Sequence, residues 1–119
     1  MRLEFEIIEE ILIVKVAGEL DLHTADNLKK KIVKKLEQNN KLNNIVLDLN
    51  NIKFIDSSGL GAILSLYKKL KAQQGKIAVI NLSQQVKRIF NLSGVLKLLV
   101  VAKTKAVALK QIRRNENCG

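Results

Sequence analysis

The chain has 119 residues, 47% of them hydrophobic, which suits one compact domain that folds without metals or disulfides. Aromatic residues make up only 3% and proline and tryptophan are absent, so the core has to be built from Leu, Ile, Val and Ala. A formal net charge of +10 raises nucleic acid or an acidic membrane as partners, but the lysines are spread out, with only Tyr67 and Phe90 near them for base stacking. A solvated basic surface is the better reading, with no direct nucleic-acid or membrane role.

No apolar stretch approaches the roughly 20 residues that span a bilayer. Met1 to Glu6 lacks the apolar run of a signal peptide. The single cysteine, Cys118, allows no internal disulfide, which fits a reducing, cytoplasmic setting.

Leu3, Phe5 and Ile7 alternate with Glu4 and Glu6, the period of a half-buried strand. Glu9-Glu10 breaks the pattern, and Ile11 to Ala17 reads as a second strand that Gly18 ends. The short break suggests an antiparallel hairpin, although Glu-Glu is a weak turn signal. Thr24 is placed to cap a helix, with Asp26 in its first turn. Ala25, Leu28, Ile32 and Leu36 then mark the apolar stripe of a helix from 25 to about 38, with Lys29, Lys30, Lys34 and Lys35 on its wet side. His23, the only histidine, has no second ligand for a metal and no nearby nucleophile in sequence.

Ile45 to Leu49 is a short apolar run expected to be a central strand covered on both faces, with Asp48 near its C-terminal end. Sites in open α/β sheets form at such ends. Just beyond lie Asp56, Ser57 and Ser58, all residue types that cap helices, followed by Gly59 and Gly61, which leave the backbone uncovered. A serine there has two readings. One is a plain helix cap, expected of at least one of Ser57 and Ser58. The other is a phosphorylation site, because a helix N-terminus stabilises phosphate. The following helix carries Leu60, Ile63, Leu64, Tyr67 and Leu70, and Gly75 suits a left-handed cap.

Ile77 to Ile80 reads as another buried strand. Ser83 can cap a third helix bearing Val86, Ile89 and Phe90, which Asn91 to Gly94 ends. Leu98 to Val101 reads as the last strand, and Thr104 can cap a final helix with Ala106, Val107, Leu109 and Ile112. The order is strand, strand, then helix and strand in alternation. It predicts a single α/β domain over 1–112, with a mixed sheet of about five strands and four helices, and a frayed polar tail over 113–119. Phosphate-loop, dinucleotide and GxSxG motifs are lacking, and no His/Cys/Asp/Glu cluster has metal spacing. An enzyme reading would require Ser57 and His23 to meet, with Asp21 or Asp56 as orienter.

Phe54-Ile55-Asp56-Ser57-Ser58-Gly59-Leu60-Gly61 resembles the signature of the STAS domain of bacterial anti-sigma factor antagonists. The resemblance covers almost the whole chain. Gly18-Glu19-Leu20-Asp21 with His23-Thr24-Ala25, and Val86 to Gly94, look most like the sporulation members, which oppose an anti-sigma F factor. It implies a STAS-like fold and a non-enzymatic partner-switching protein. On this resemblance an anti-sigma factor, itself a serine kinase, phosphorylates Ser57. The unphosphorylated chain binds that kinase and frees the sigma factor, and a serine phosphatase restores the binding form. ATP and magnesium belong to the kinase, so no cofactor is expected on this chain. Asp21, Asp56, Ser58, Gly59, Leu60 and Gly61 are the implied partner contacts. The alternative is a STAS sensor or scaffold module that binds a nucleotide or a signalling-complex partner.

Overall fold

A computed structural model describes the chain over residues 1–118, with side chains over residues 1–114. The expectation for the Cys118 thiol lies outside the described side chains, and over the expected tail the helix α4 runs on to Cys118. The elements run β1 (Arg2–Ile8), β2 (Ile11–Leu20), α1 (Ala25–Gln38), β3 (Asn44–Ile55), α2 (Ser57–Lys71), β4 (Ile77–Ile80), α3 (Gln84–Ser93), a 3-10 turn (Val95–Leu98), β5 (Val100–Ala102) and α4 (Lys105–Cys118). The five strands form one mixed sheet in the order β1-β2-β3-β4-β5, antiparallel at β1–β2 and parallel elsewhere. This is the α/β architecture expected.

The strand order explains the layering. Each parallel neighbour is reached by a helical crossover in the same direction along the sheet, and right-handed crossovers then place every connecting helix on one face. Accordingly α1, α2 and α3 share one core with Leu12, Val14, Leu47, Leu49 and Val79, in which Phe90 is fully buried. Only α4, which follows the last strand, turns to the other face. There Ala108, Leu109 and Ile112 cover Ile11, Ile13, Val46, Ala78 and Ile80. The α1 stripe is the expected one, with Ala25, Leu28, Ile32 and Leu36 buried.

Several boundaries differ from the sequence reading. Glu9 and Glu10 have φ of 52° and 66°, so two glutamates adopt the left-handed pair that a tight hairpin requires, closing Ile8 onto Ile11. β2 does not end at Gly18. That residue, at φ 108°, lies within the strand beside a register shift, and pairing continues to Leu20 against Ile55. β3 correspondingly extends past Leu49 to Ile55, which places Asp48 in mid-strand. Its carboxylate accepts from the Asn50 amide and the Asn81 side chain. The last strand begins at Val100, because Gly94 (φ 79°) starts a 3-10 turn that takes up Leu98. In α4, Ala108 joins Leu109 and Ile112 in the core, whereas Ala106 and Val107 face solvent.

Gly75 is not the left-handed residue after α2; Gln74 is, at φ 63°. Glycine is required next to it because a Cβ would lie 1.8 Å from the Asn43 carbonyl oxygen. Buried Asn44 accepts from the Lys76 amide at 2.8 Å beside this contact, so the loops before β3 and β4 interlock. Ser83 and Thr104 cap α3 and α4 as expected.

Candidate functional site

The C-terminal ends of β2 and β3 are paired neighbours, so the β2–α1 loop and the β3–α2 corner lie side by side. The cap of α2 is Asp56, not a serine. In extended geometry it turns one carboxylate oxygen, Oδ1, to the amides of Ser58 (2.8 Å) and Gly59 (3.1 Å). Its other oxygen, Oδ2, accepts from the Leu22 amide of the neighbouring loop at 3.3 Å, and its own amide donates to the Leu20 carbonyl at 3.2 Å. Asp56 is therefore a half-buried joint between two loops.

With the cap supplied by Asp56, Ser57 becomes the first residue of α2. It is exposed, and its hydroxyl makes no hydrogen bond to any described residue. Ser58, the second, is half-buried. Gly59 is buried rather than uncovered: a Cβ there would meet the Leu20 carbonyl oxygen at 2.4 Å and the Leu20 and Ile55 side chains at 2.8 and 2.9 Å. Its role is to let the first turn of α2 rest on the end of β2. Gly61 is the uncovered glycine, exposed and with no atom within 4 Å of a would-be Cβ. Leu60 is half-buried against the core.

Asp21 belongs to the same surface. Its carboxylate accepts from the His23 amide at 2.9 Å, and its carbonyl accepts from Thr24 and Ala25, which starts α1. Thr24 holds the cap position but does not cap. Its hydroxyl donates to the Glu19 carbonyl (2.8 Å) and accepts from the Asp21 amide (2.9 Å), bracing the loop instead. The loop carries a residue the sequence reading passed over: Leu22, which is 72% exposed. A lone apolar side chain between Asp21 and His23 in a polar loop was the available signal. A shallow groove runs from it between α1 and α2, with Leu22, Ala25 and Lys29 on one side and Ser58, Gly61 and Ser65 on the other.

The chemistry of this corner is that of a presented hydroxyl at a positive helix end, with a carboxylate beside it. His23 is exposed, and its ring makes no hydrogen bond to Ser57, so the two do not form the pair that the nucleophile reading requires. Among the described residues no group of three or more His, Cys, Asp or Glu is placed to hold a metal ion, and no helix is long and apolar enough to cross a membrane.

Residues 2–108 match the STAS domain family. The chain is 35% identical to an anti-sigma F factor antagonist of Paenibacillus polymyxa over 94% of its own length and 95% of the relative. It is 32% identical to an anti-sigma-B factor antagonist of Bacillus subtilis over 75% of the chain and 79% of the relative. Among solved structures it is similar to the Bacillus cell fate determinant SpoIIAA in the phosphorylated form, with a TM-score of 0.72 at 26% identity, over 93% of this chain and 99% of that one.

Proposed function

The chain belongs to the STAS domain family, and from that we propose that it is an anti-sigma factor antagonist of the cytoplasm. In this reading it docks on an anti-sigma factor serine kinase through the Asp21–Leu22 loop and the first turn of α2. It thereby frees a sigma factor, and it is released when the kinase phosphorylates Ser57. The names of the relatives, as antagonists of anti-sigma F and anti-sigma-B factors, support the antagonist role. The stronger resemblance to the F type supports a sporulation role. The observation that carries the switch is Ser57 itself: the first residue of a helix, exposed, with a hydroxyl that makes no hydrogen bond to any described residue because Asp56 has taken over the cap. The kinase brings ATP and magnesium, a serine phosphatase reverses the step, and this chain acts as substrate and ligand rather than as an enzyme.

The switch is local. A phosphate adds about −1.5 to −2 charge. The amide end of α2 accommodates that charge, so the fold persists. A partner surface closing on Ser57, Leu60 and Gly61 would instead have to desolvate a dianion beside Asp56, which opposes docking. The test is incubation with ATP, magnesium and an anti-sigma factor kinase from the same genome. Tandem mass spectrometry should find a single phosphate on Ser57, and gel filtration should show the complex dissolving as it forms. Ser57→Ala should bind and stay unmodified. Failure of the unphosphorylated chain to bind any such kinase would refute the reading.

A further inference from the structure

Asp56 divides its carboxylate between two structures. Oδ1 serves the first turn of α2 with two bonds, at 2.8 and 3.1 Å, while Oδ2 reaches the Leu22 amide across the loop at 3.3 Å. The bond to Leu22 is exposed and is the longest of the three. We propose that Asp56 is a positioning residue that couples the charge at Ser57 to the β2–α1 loop, holding Leu22 in place when Ser57 is free and releasing it when Ser57 carries an anion. The link to phosphorylation rests on the function proposed above; the Asp56–Leu22 tether does not.

The argument is competition for donors. An anion on Ser57 stands at the same helix end whose Ser58 and Gly59 amides Asp56 already occupies. Two neighbouring anions repel, and both seek those amides. The bond to Leu22 is the one Asp56 gives up at least cost, because it is longest and because water can replace the lost acceptor at an exposed site. Other ties still hold the loop's base: the Asp56 amide on the Leu20 carbonyl, and the Thr24 hydroxyl on the Glu19 carbonyl. The Asp21 carboxylate also keeps the His23 amide, so the response is confined to Leu22. Leu22 is the exposed apolar side chain of the surface, so its loosening removes a fixed anchor at the same moment that charge appears at Ser57.

The experiment is residue-resolved amide exchange by NMR on the full chain. Asp56→Asn can keep one oxygen on the α2 amides but offers only N–H groups to Leu22, so it cuts the tether and spares the cap. The Leu22 amide should exchange about fivefold faster, the effect of losing one ordinary hydrogen bond, while Ala25 and Leu28 in α1 keep their protection. Asp56→Ser caps but cannot reach Leu22, so it should show the same faster exchange even if the introduced asparagine turns its oxygen to Leu22 instead. Unchanged Leu22 exchange in both variants overturns the tether. Ser57→Asp supplies the anion without any kinase, and should speed Leu22 exchange with Asp56 present and add nothing in Asp56→Ser. If Ser57→Asp leaves Leu22 unchanged, the coupling is refuted even if kinase binding is lost. If the coupling appears but no kinase binds, the function proposed above fails and the tether stands.

Discussion

Gly59 and Gly61 sit two residues apart in the same helix, yet alanine should act on them with opposite sign. In an open helix interior alanine is favoured over glycine by about 1 kcal/mol. At Gly61 nothing lies within 4 Å of the new Cβ, so that gain is realised and stability rises by about 0.5–1 kcal/mol. At Gly59 the Cβ would lie 2.4 Å from the Leu20 carbonyl oxygen, where ordinary contact begins at 3.4 Å, so the first turn of α2 must retreat. The carbonyl cannot yield, because it is main chain at the end of β2 and accepts the Asp56 amide. Overpacking costs about 1–3 kcal/mol, and a main-chain atom that cannot yield puts Gly59 in the upper part of that range, about 2–3 kcal/mol. Against the alanine gain the net loss is about 1–2 kcal/mol. At roughly 4 °C per kcal/mol for a domain of this size, Gly59→Ala should melt about 4–8 °C lower and Gly61→Ala about 2–4 °C higher. Thermal denaturation followed by far-ultraviolet circular dichroism reads both. A Gly59→Ala protein as stable as the parent would refute the close packing of α2 on β2.

Gly75→Ala meets the Asn43 carbonyl at 1.8 Å and should fold poorly or not at all, seen as loss of soluble, cooperatively melting protein. Phe90→Ala empties a fully buried site and should cost about 3–5 kcal/mol in urea unfolding. Glu10→Gly relieves a side chain held at φ 66° and should raise stability by up to about 1 kcal/mol; a loss would mean the turn is not left-handed in solution. Ser57→Asp should keep a parent-like circular dichroism spectrum and melting profile while losing the kinase, and global unfolding of that variant would refute a local block.

The parts of the fold written in side-chain periodicity were legible in the sequence. Ala25, Leu28, Ile32 and Leu36 recur at helical spacing and all four are buried. The alternation of Leu3, Phe5 and Ile7 marks β1, although Ile7 is exposed. What escaped was written in backbone geometry. Residues 50–55 look too polar for a strand, with Asn50, Asn51 and Lys53 among them, and these three and Phe54 are exposed because α4 does not cover that half of the sheet. They are strand only because β2 runs on through Ala17 and Gly18 to Leu20, pairing with Asn51, Ile52, Phe54 and Ile55. The site shows the same division. Asp56, Ser57 and Ser58 can each cap a helix, so composition could not choose among them. The extended backbone of Asp56 makes the choice and leaves Ser57 presented. The tie from Asp56 to Leu22 spans 34 positions of sequence and leaves no local pattern.

The strand order β1-β2-β3-β4-β5 has a consequence for how the chain comes into being. Every strand lies next to the one made before it, so no strand waits for a partner not yet synthesised, and none has to be threaded between two that are already paired. A chain emerging from the ribosome can close the Glu9-Glu10 hairpin and then lay down β3, β4 and β5 in turn, each onto an edge already in place. Loop closure then stays short for a mostly parallel sheet, where non-local pairing ordinarily slows folding. The Ser57 corner is complete once α2 has emerged, ahead of α4, whose arrival covers the aliphatic patch around Val46 and Ala78 on the other face.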